Sequence, residues 1–164
     1  MVPGERRLGL IGNLSVRENI LLPSLGSMTR AGSLDRAAGD RVVAELMELL
    51  DIRPRNTTLP AASLSGGNQQ KVILGRELAL DRALVVLDQP TRGLDVGSVE
   101  QVHRIILGLR AEGRAVLLVS ADLDELFQLA DRLVVMHRGR VALEGATSTL
   151  DAVQVGRAML AEAP

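Results

Sequence analysis

Past Gly67 the chain alternates short apolar runs with longer stretches of helical period, and this alternation restricts it to few folds. Ala83-Leu84-Val85-Val86-Leu87 is strand-sized, apolar and rich in β-branched residues, which predicts a buried strand. A helix is expected from about Val96 to Ala111, then a second strand at Ala115 to Ser120. A helix from about Leu123 to Ala130 precedes a third strand, Arg132 to Met136, which turns at Arg138-Gly139 into Val141-Ala142-Leu143. Strands separated by helices imply an α/β fold with a parallel sheet covered on both faces.

The first third of the chain has a different rhythm. Residues 1–13 are Gly-rich and read as a loop. Ser15 with Glu18 three residues on forms a capping box, predicting a helix from Val16 to about Leu22. A Ser/Gly-rich loop is expected over Pro23 to Ser33. Ala37, Val42, Val43, Leu46, Leu49 and Leu50 then recur at helical spacing, predicting an amphipathic helix from about Leu34 to Leu50. Asp51 to Ser63, with Pro54 and Pro60, reads as a polar loop, and a helix is expected from Asn68 to about Leu80. The expected organisation is a helical subdomain over 14–65, half of an α/β core over 66–145, and a tail over 146–164 whose surface helix runs from about Leu150 to Ala161.

Composition narrows the function classes. With 46% hydrophobic and 24% charged residues in 164, the chain is of ordinary globular type. Its net charge is −1 and its arginines are scattered, so no polyanion surface is expected. Phe127 is the only aromatic residue, which removes the stacking platform of single-strand nucleic-acid binders. With no cysteine, disulfides and thiolate chemistry are excluded. No apolar run approaches the roughly 18 to 20 residues of a membrane span, and the N-terminus lacks the apolar core of a signal peptide. Any membrane association is therefore expected to go through a partner.

Two motifs carry the chemistry. In Leu64-Ser65-Gly66-Gly67-Asn68-Gln69-Gln70 a glycine pair leads into a helix. Such a start aims backbone N–H groups at an anion, with Ser65 adding a hydroxyl; alone, a Ser-Gly-Gly is more often an ordinary helix N-cap with a glycine turn. In Leu84-Val85-Val86-Leu87-Asp88-Gln89-Pro90 an acid ends a buried strand, where open α/β sheets bind ligands. A carboxylate there can hold Mg²⁺ through water; alone, Asp88 is more often a turn residue ending a strand. The order of the two motifs, with one helix between them, favours the nucleotide-site interpretation of both.

Together they carry a resemblance. Ser65 to Gln69 resembles the signature motif of ABC ATPases, Leu84 to Asp88 the Walker B strand, and Gly93-Leu94-Asp95 the D-loop. Ser-Gly-Gly-Asn-Gln-Gln-Lys and Pro-Thr-Arg-Gly-Leu-Asp-Val-Gly are similar to the second cassette of the two-cassette ATPases that energise ribose, galactose and nucleoside importers. Asn13 to Asn19, Leu118-Val119-Ser120 and Ala130 to Met136 extend the match. The resemblance implies a partial P-loop NTPase (RecA-like) core with a parallel sheet and an α-helical signature subdomain. It implies ATP and Mg²⁺ in a composite site shared head-to-tail with a complete partner cassette. Ser65, Gly66, Gly67, Gln69 and Asp95 would contact nucleotide, and Asp88 would hold Mg²⁺ through water. Segment 14–65 would contact a membrane permease, placing the chain at the cytoplasmic face of the inner membrane, with neither nucleic acid nor direct membrane insertion involved.

The departures matter as much. A P-loop requires G-x-x-x-x-G-K-[ST], yet the single lysine is Lys71, preceded by Gln70. Family members carry that loop upstream, so the chain is expected to begin near their Q-loop. Val2-Pro3-Gly4-Glu5-Arg6 resembles it with an altered middle, and no Q-loop residue is assigned. Gln89 stands where most members have the glutamate that polarises the attacking water. An amide can orient a water but cannot take its proton, which forfeits about 10² to 10⁴ in rate. The same glutamine resembles the nucleoside-importer branch. Ala121 stands at the switch-histidine position, so the γ-phosphate loses an imidazole donor. His103 and His137 are expected to play ordinary surface roles. The alternatives of another class are a non-catalytic interaction module and an inert remnant of a cassette. An ABC protein of DNA repair would need coiled-coil arms, and no sustained heptads occur.

Overall fold

The computed structural model describes residues 1–3, 9–26, 29–30, 33–80 and 82–160; the altered middle of the Q-loop-like string lies outside them. The chain divides into two units, Met1–Val119 and Ser120–Pro164.

In the first unit Ser15 caps α1 (Val16–Leu21) through both halves of the expected box. The Glu18 amide donates to Ser15 Oγ at 3.2 Å, and the Ser15 amide donates to Glu18 Oε2 at 2.8 Å. The Ser15 hydroxyl, and then its amide, hold the Glu18 carboxyl below the usual carboxylate range. One turn on, the buried Asn19 amide gathers the chain that enters the helix. It accepts the Ile11 N–H at 2.9 Å and donates to the carbonyls of Ile11, Leu14 and Ser15. A short hairpin of β1 (Thr29–Arg30) and β2 (Ser33–Leu34) occupies part of the expected loop.

Asp35 then caps α2 (Arg36–Leu49), accepting the Ala38 amide at 2.9 Å. Helices α1, α2 and α3 (Gly66–Leu78) pack together, burying Ile20, Leu21, Val43, Leu50, Val72 and Ile73. Two glycines permit the close approach. A β-carbon at Gly39 would stand 3.0 Å from Leu21 Cδ1, and one at Gly75 would stand 3.0 Å from Leu50 Cδ1.

Strands β3 (Leu84–Asp88) and β4 (Ala115–Val119) pair in parallel, Val85 opposite Val116 and Leu87 opposite Leu118, and are joined through α4 (Val96–Ala111). Val2 adds a parallel bridge beside β3, donating to the Val86 carbonyl at 2.8 Å and accepting the Asp88 amide at 2.9 Å. The expected cover on both faces is not found. Val85 and Leu87 are buried, whereas Leu84, Leu117 and Val119 on the opposite face are each about half exposed, at 53%, 54% and 49%. Side chains alternate across a strand, and only one side of this two-stranded sheet is packed.

In the second unit α5 (Leu123–Leu129) precedes β5 (Arg132–His137) and β6 (Arg140–Ala146), an antiparallel hairpin. The third expected strand thus pairs with its own hairpin partner. Its two-residue turn has Arg138 at φ 48° and Gly139 at φ 77°, the left-handed pair that matches strand twist. Helix α6 (Ala152–Leu160) packs on the hairpin. Leu133, Val135 and Val155 form the core, with Phe127 among the side chains against it.

Candidate functional site

Helix α3 begins two residues earlier than its glycines suggest, at Gly66, with Ser65 as N-cap at φ −60° and ψ 156°. Ser65 Oγ accepts from Asn68 Nδ2 at 2.9 Å and, more weakly, from the Asn68 amide at 3.4 Å. The first N–H groups of any helix lack intrahelical partners. Those of Gly66 and Gly67 have no acceptor among the described residues. With the positive end of the α3 dipole behind them, such donors can take an anion. Gln69 behaves differently from its neighbours. Its Nε2 donates back to the carbonyls of Leu64 at 3.0 Å and Ala62 at 3.4 Å, so its amino group braces its own loop.

Gly67 faces the second motif, since a β-carbon there would stand 3.5 Å from Leu94 Cδ2. This brings the start of α3 and the turn before α4 together. That turn grows from the end of β3. Asp88 closes the strand, half-buried, and Gln89 follows in the left-handed region at φ 48°. Such a conformation costs a residue with a β-carbon about 1–2 kcal/mol, and strain of this kind concentrates at functional sites. It is held by the Gln89 amide donating to the Val119 carbonyl at 2.8 Å and the Arg92 amide donating to the Gln89 carbonyl at 3.1 Å. Gly93, at φ 72°, completes the reversal.

Asp95 then caps α4, accepting the Ser98 amide at 3.0 Å on Oδ1 and the Ser98 hydroxyl at 2.8 Å on Oδ2. Ser98, through its hydroxyl and then its amide, holds the exposed Asp95 carboxyl below the usual range, and the charge of Lys71 adds to the effect. Lys71 is itself nearly buried and donates to the Asp51 carbonyl at 3.3 Å.

The predicted residues therefore fall into two sets. Ser65, Gly66, Gly67 and Asp95 line one edge of the first unit, and Asp88 with Gln89 stands at the C-terminal end of β3. Ala121 is exposed in the turn before α5 and belongs to the second unit. His137 Nδ1 meets the Met159 carbonyl at 3.0 Å and joins neither set. Sequence reasoning missed Asn68, whose Oδ1 accepts the Arg53 amide at 2.7 Å. The only sequence signal for it was its place one helical turn from Ser65 and Lys71.

A parallel strand ending in an acid, a strained turn beyond it and two capped helix starts make an α/β core whose strand end lies where open sheets of this kind bind ligands. The comparisons agree. The family model for the ABC transporter matches residues 2–92, and the chain belongs to that family. It is 44% identical over 144 residues to the ribose import ATP-binding protein RbsA 2 of Rubrobacter xylanophilus, covering 87% of this chain and 28% of that protein. It is 43% identical to the nucleoside import ATP-binding protein NupA of Lactococcus lactis, covering 85% and 28%. The chain thus spans under a third of the curated relatives it matches. Among solved structures, the dimeric MJ0796 bacterial ABC transporter cassette superposes with a TM-score of 0.76 at 26% identity, covering 90% of this chain and 62% of that one. The partial P-loop NTPase-type α/β fold expected from the sequence is the fold observed.

Proposed function

We propose that the chain is the signature-bearing part of an ATP-binding subunit of an importer for simple sugars or nucleosides. The observation that carries this is the start of α3, where two backbone N–H groups without acceptors among the described residues stand beside a serine hydroxyl and against the turn that leads to Asp95. The names of the relatives support the substrate class. Ser65, Gly66 and Gly67 would face the phosphates of ATP held by the P-loop of a partner cassette, with Asp95 beside them. Gln69 would act by bracing the loop.

Mg²⁺ would supply charge neutralisation of the phosphates. Among the described residues no group of His, Cys, Asp or Glu forms a metal cluster, so Asp88 would contribute alone through water, as suits a cation that keeps most of its waters. Gln89 would orient a water without deprotonating it, and Ala121 would offer no donor. Segment 14–65 would meet the permease, at the cytoplasmic face of the inner membrane, with 66–145 as core half and 146–164 as tail. No described helix is long and apolar enough to cross a membrane. Gln89 and Ala121 favour one second interpretation, a non-catalytic module that tunes a partner cassette.

The test is the ATPase rate of the chain assembled with a complete cassette carrying its own P-loop. Ser65→Ala is expected to lower the rate about 10²-fold, as removal of an oxyanion donor does, while Gln89→Glu changes it little. A large gain from Gln89→Glu with a silent Ser65→Ala would reverse the assignment of the two sites.

A further inference from the structure

Sequence matching draws attention to Ser65, yet the orientation of its hydroxyl is set by Asn68. A serine hydroxyl has one hydrogen to donate and two lone pairs to accept with. The identity of the two ends of the Asn68 amide is fixed by chemistry. The Arg53 backbone N–H, 2.7 Å away, can only donate, so it must face the amide oxygen, which leaves the amino group for Ser65 Oγ at 2.9 Å. Ser65 Oγ is therefore an acceptor toward Asn68 twice over, from the side chain and from the backbone. Its acceptor capacity is turned inward, and the hydroxyl hydrogen is left to point away from Asn68.

The anchor of Asn68 is not part of the phosphate-facing edge. Arg53 belongs to the strap that leaves α2, and Lys71, one turn beyond Asn68 on the same face of α3, donates to the Asp51 carbonyl in that strap at 3.3 Å. Asp51 itself is left-handed, at φ 43°. Two side chains of α3 thus grip the backbone on either side of Ile52 at the exit of α2, one holding the Arg53 N–H and the other the Asp51 C=O.

We infer that Asn68 is a positioning residue that turns the Ser65 hydroxyl outward as a donor to an anion, and that its grip on residues 51–53 makes this orientation depend on the helical segment. This rests on the function proposed above and deepens it. A shift of the α2 exit that lengthened the Arg53–Asn68 bond would free the amide to rotate. Ser65 could then spend its hydrogen on the Asn68 oxygen, and the donor would be lost without any change at Ser65 itself.

Asn68→Asp is the discriminating variant. It keeps an oxygen for the Arg53 N–H and the size of the side chain, but replaces the amino donor with an acceptor, so the Ser65 hydroxyl turns inward. Asn68→Ala serves as the uncharged companion. Three quantities are read on the chain with a complete partner cassette: the dissociation constant of the pair in a non-hydrolysable ATP analogue by sedimentation, and the ATPase kcat and KM. Asn68→Asp is expected to weaken the nucleotide-dependent association and lower kcat about tenfold or more. It should leave association without nucleotide unchanged, and Asn68→Ala should lie between it and wild type. In a Ser65→Ala background the Asn68→Asp effect on association should shrink to within about twofold. Either an undiminished effect in that background or wild-type behaviour of both Asn68 variants overturns the inference. If Ser65→Ala itself is silent, the proposed function falls, and the inference falls with it.

Discussion

Gly67→Ala separates a glycine kept for ligand approach from one kept for folding. A β-carbon at this position would lie 3.5 Å from Leu94 Cδ2, ordinary van der Waals contact, so no atom need move. In a helix interior alanine is favoured over glycine by about 1 kcal/mol. Gly67 is the second residue of α3, where only part of that difference applies, and a gain of about 0.5 kcal/mol is expected. For a chain of this size that raises Tm by about 1–2 °C. The same methyl would stand beside an N–H group that has no acceptor among the described residues, at the edge where the proposed function seats a phosphate. The ATPase rate of the assembled complex should therefore fall at least tenfold, approaching the loss seen when one oxyanion donor is removed. Thermal unfolding and steady-state hydrolysis of the same complex give both numbers. A variant that is less stable by more than about 1 kcal/mol, or one that hydrolyses ATP at the wild-type rate, would refute the reasoning.

Three further outcomes follow from other parts of the fold. Asn19→Ala should destabilise the first unit by about 3 kcal/mol, because the Ile11 N–H loses its acceptor while three carbonyls lose a donor; Asn19→Asp, although similar in size, should be worse in denaturant unfolding, and a milder Asp would contradict the bonding pattern. The Asp95 carboxyl is held below its ordinary value, so its capping contribution is full above the unfolded value near about pH 4 and is lost as pH falls through the lowered folded value. Asp95→Asn should flatten that acid limb in a pH series of unfolding midpoints, and an unchanged limb would count against it. The half-exposed Leu117 and Val119 should make the isolated chain bind a hydrophobic dye, and Leu117→Lys with Val119→Thr should at least halve that signal; no reduction would place the exposed apolar surface elsewhere.

Much of the fold could be read from local signals. The Ser15–Glu18 box and the limits of α4, Val96–Ala111, are as expected, since a capping acid precedes α4 and Gly113 follows it at φ 80°. The start of α3 was misplaced because glycine disfavours helix interiors, whereas at a capped N-terminus the Ser65 hydroxyl offsets that cost. The β1–β2 hairpin is two residues per strand, too short to leave a period of two in a Ser/Gly-rich segment. An apolar run such as Leu84–Leu87 signals burial but not which face goes uncovered. The candidate site was legible as two motifs. Their contact, Gly67 against Leu94, and the bond from Asn68 to Arg53 were not. Asn68 takes its N–H from Arg53, 15 residues away, a pairing that only the folded backbone creates.

Equilibrium dialysis of Mg-ATP against the chain alone, against a complete partner cassette and against the two together tests the central claim most directly. In the proposed function the partner would supply the phosphate cradle, and the start of α3 would face the phosphates held there. The chain alone should bind no ATP at micromolar concentration, and the pair should bind at least tenfold more tightly than the cassette alone, with that gain abolished by Ser65→Ala. Micromolar binding by the chain alone, or a gain that survives Ser65→Ala, would contradict the account.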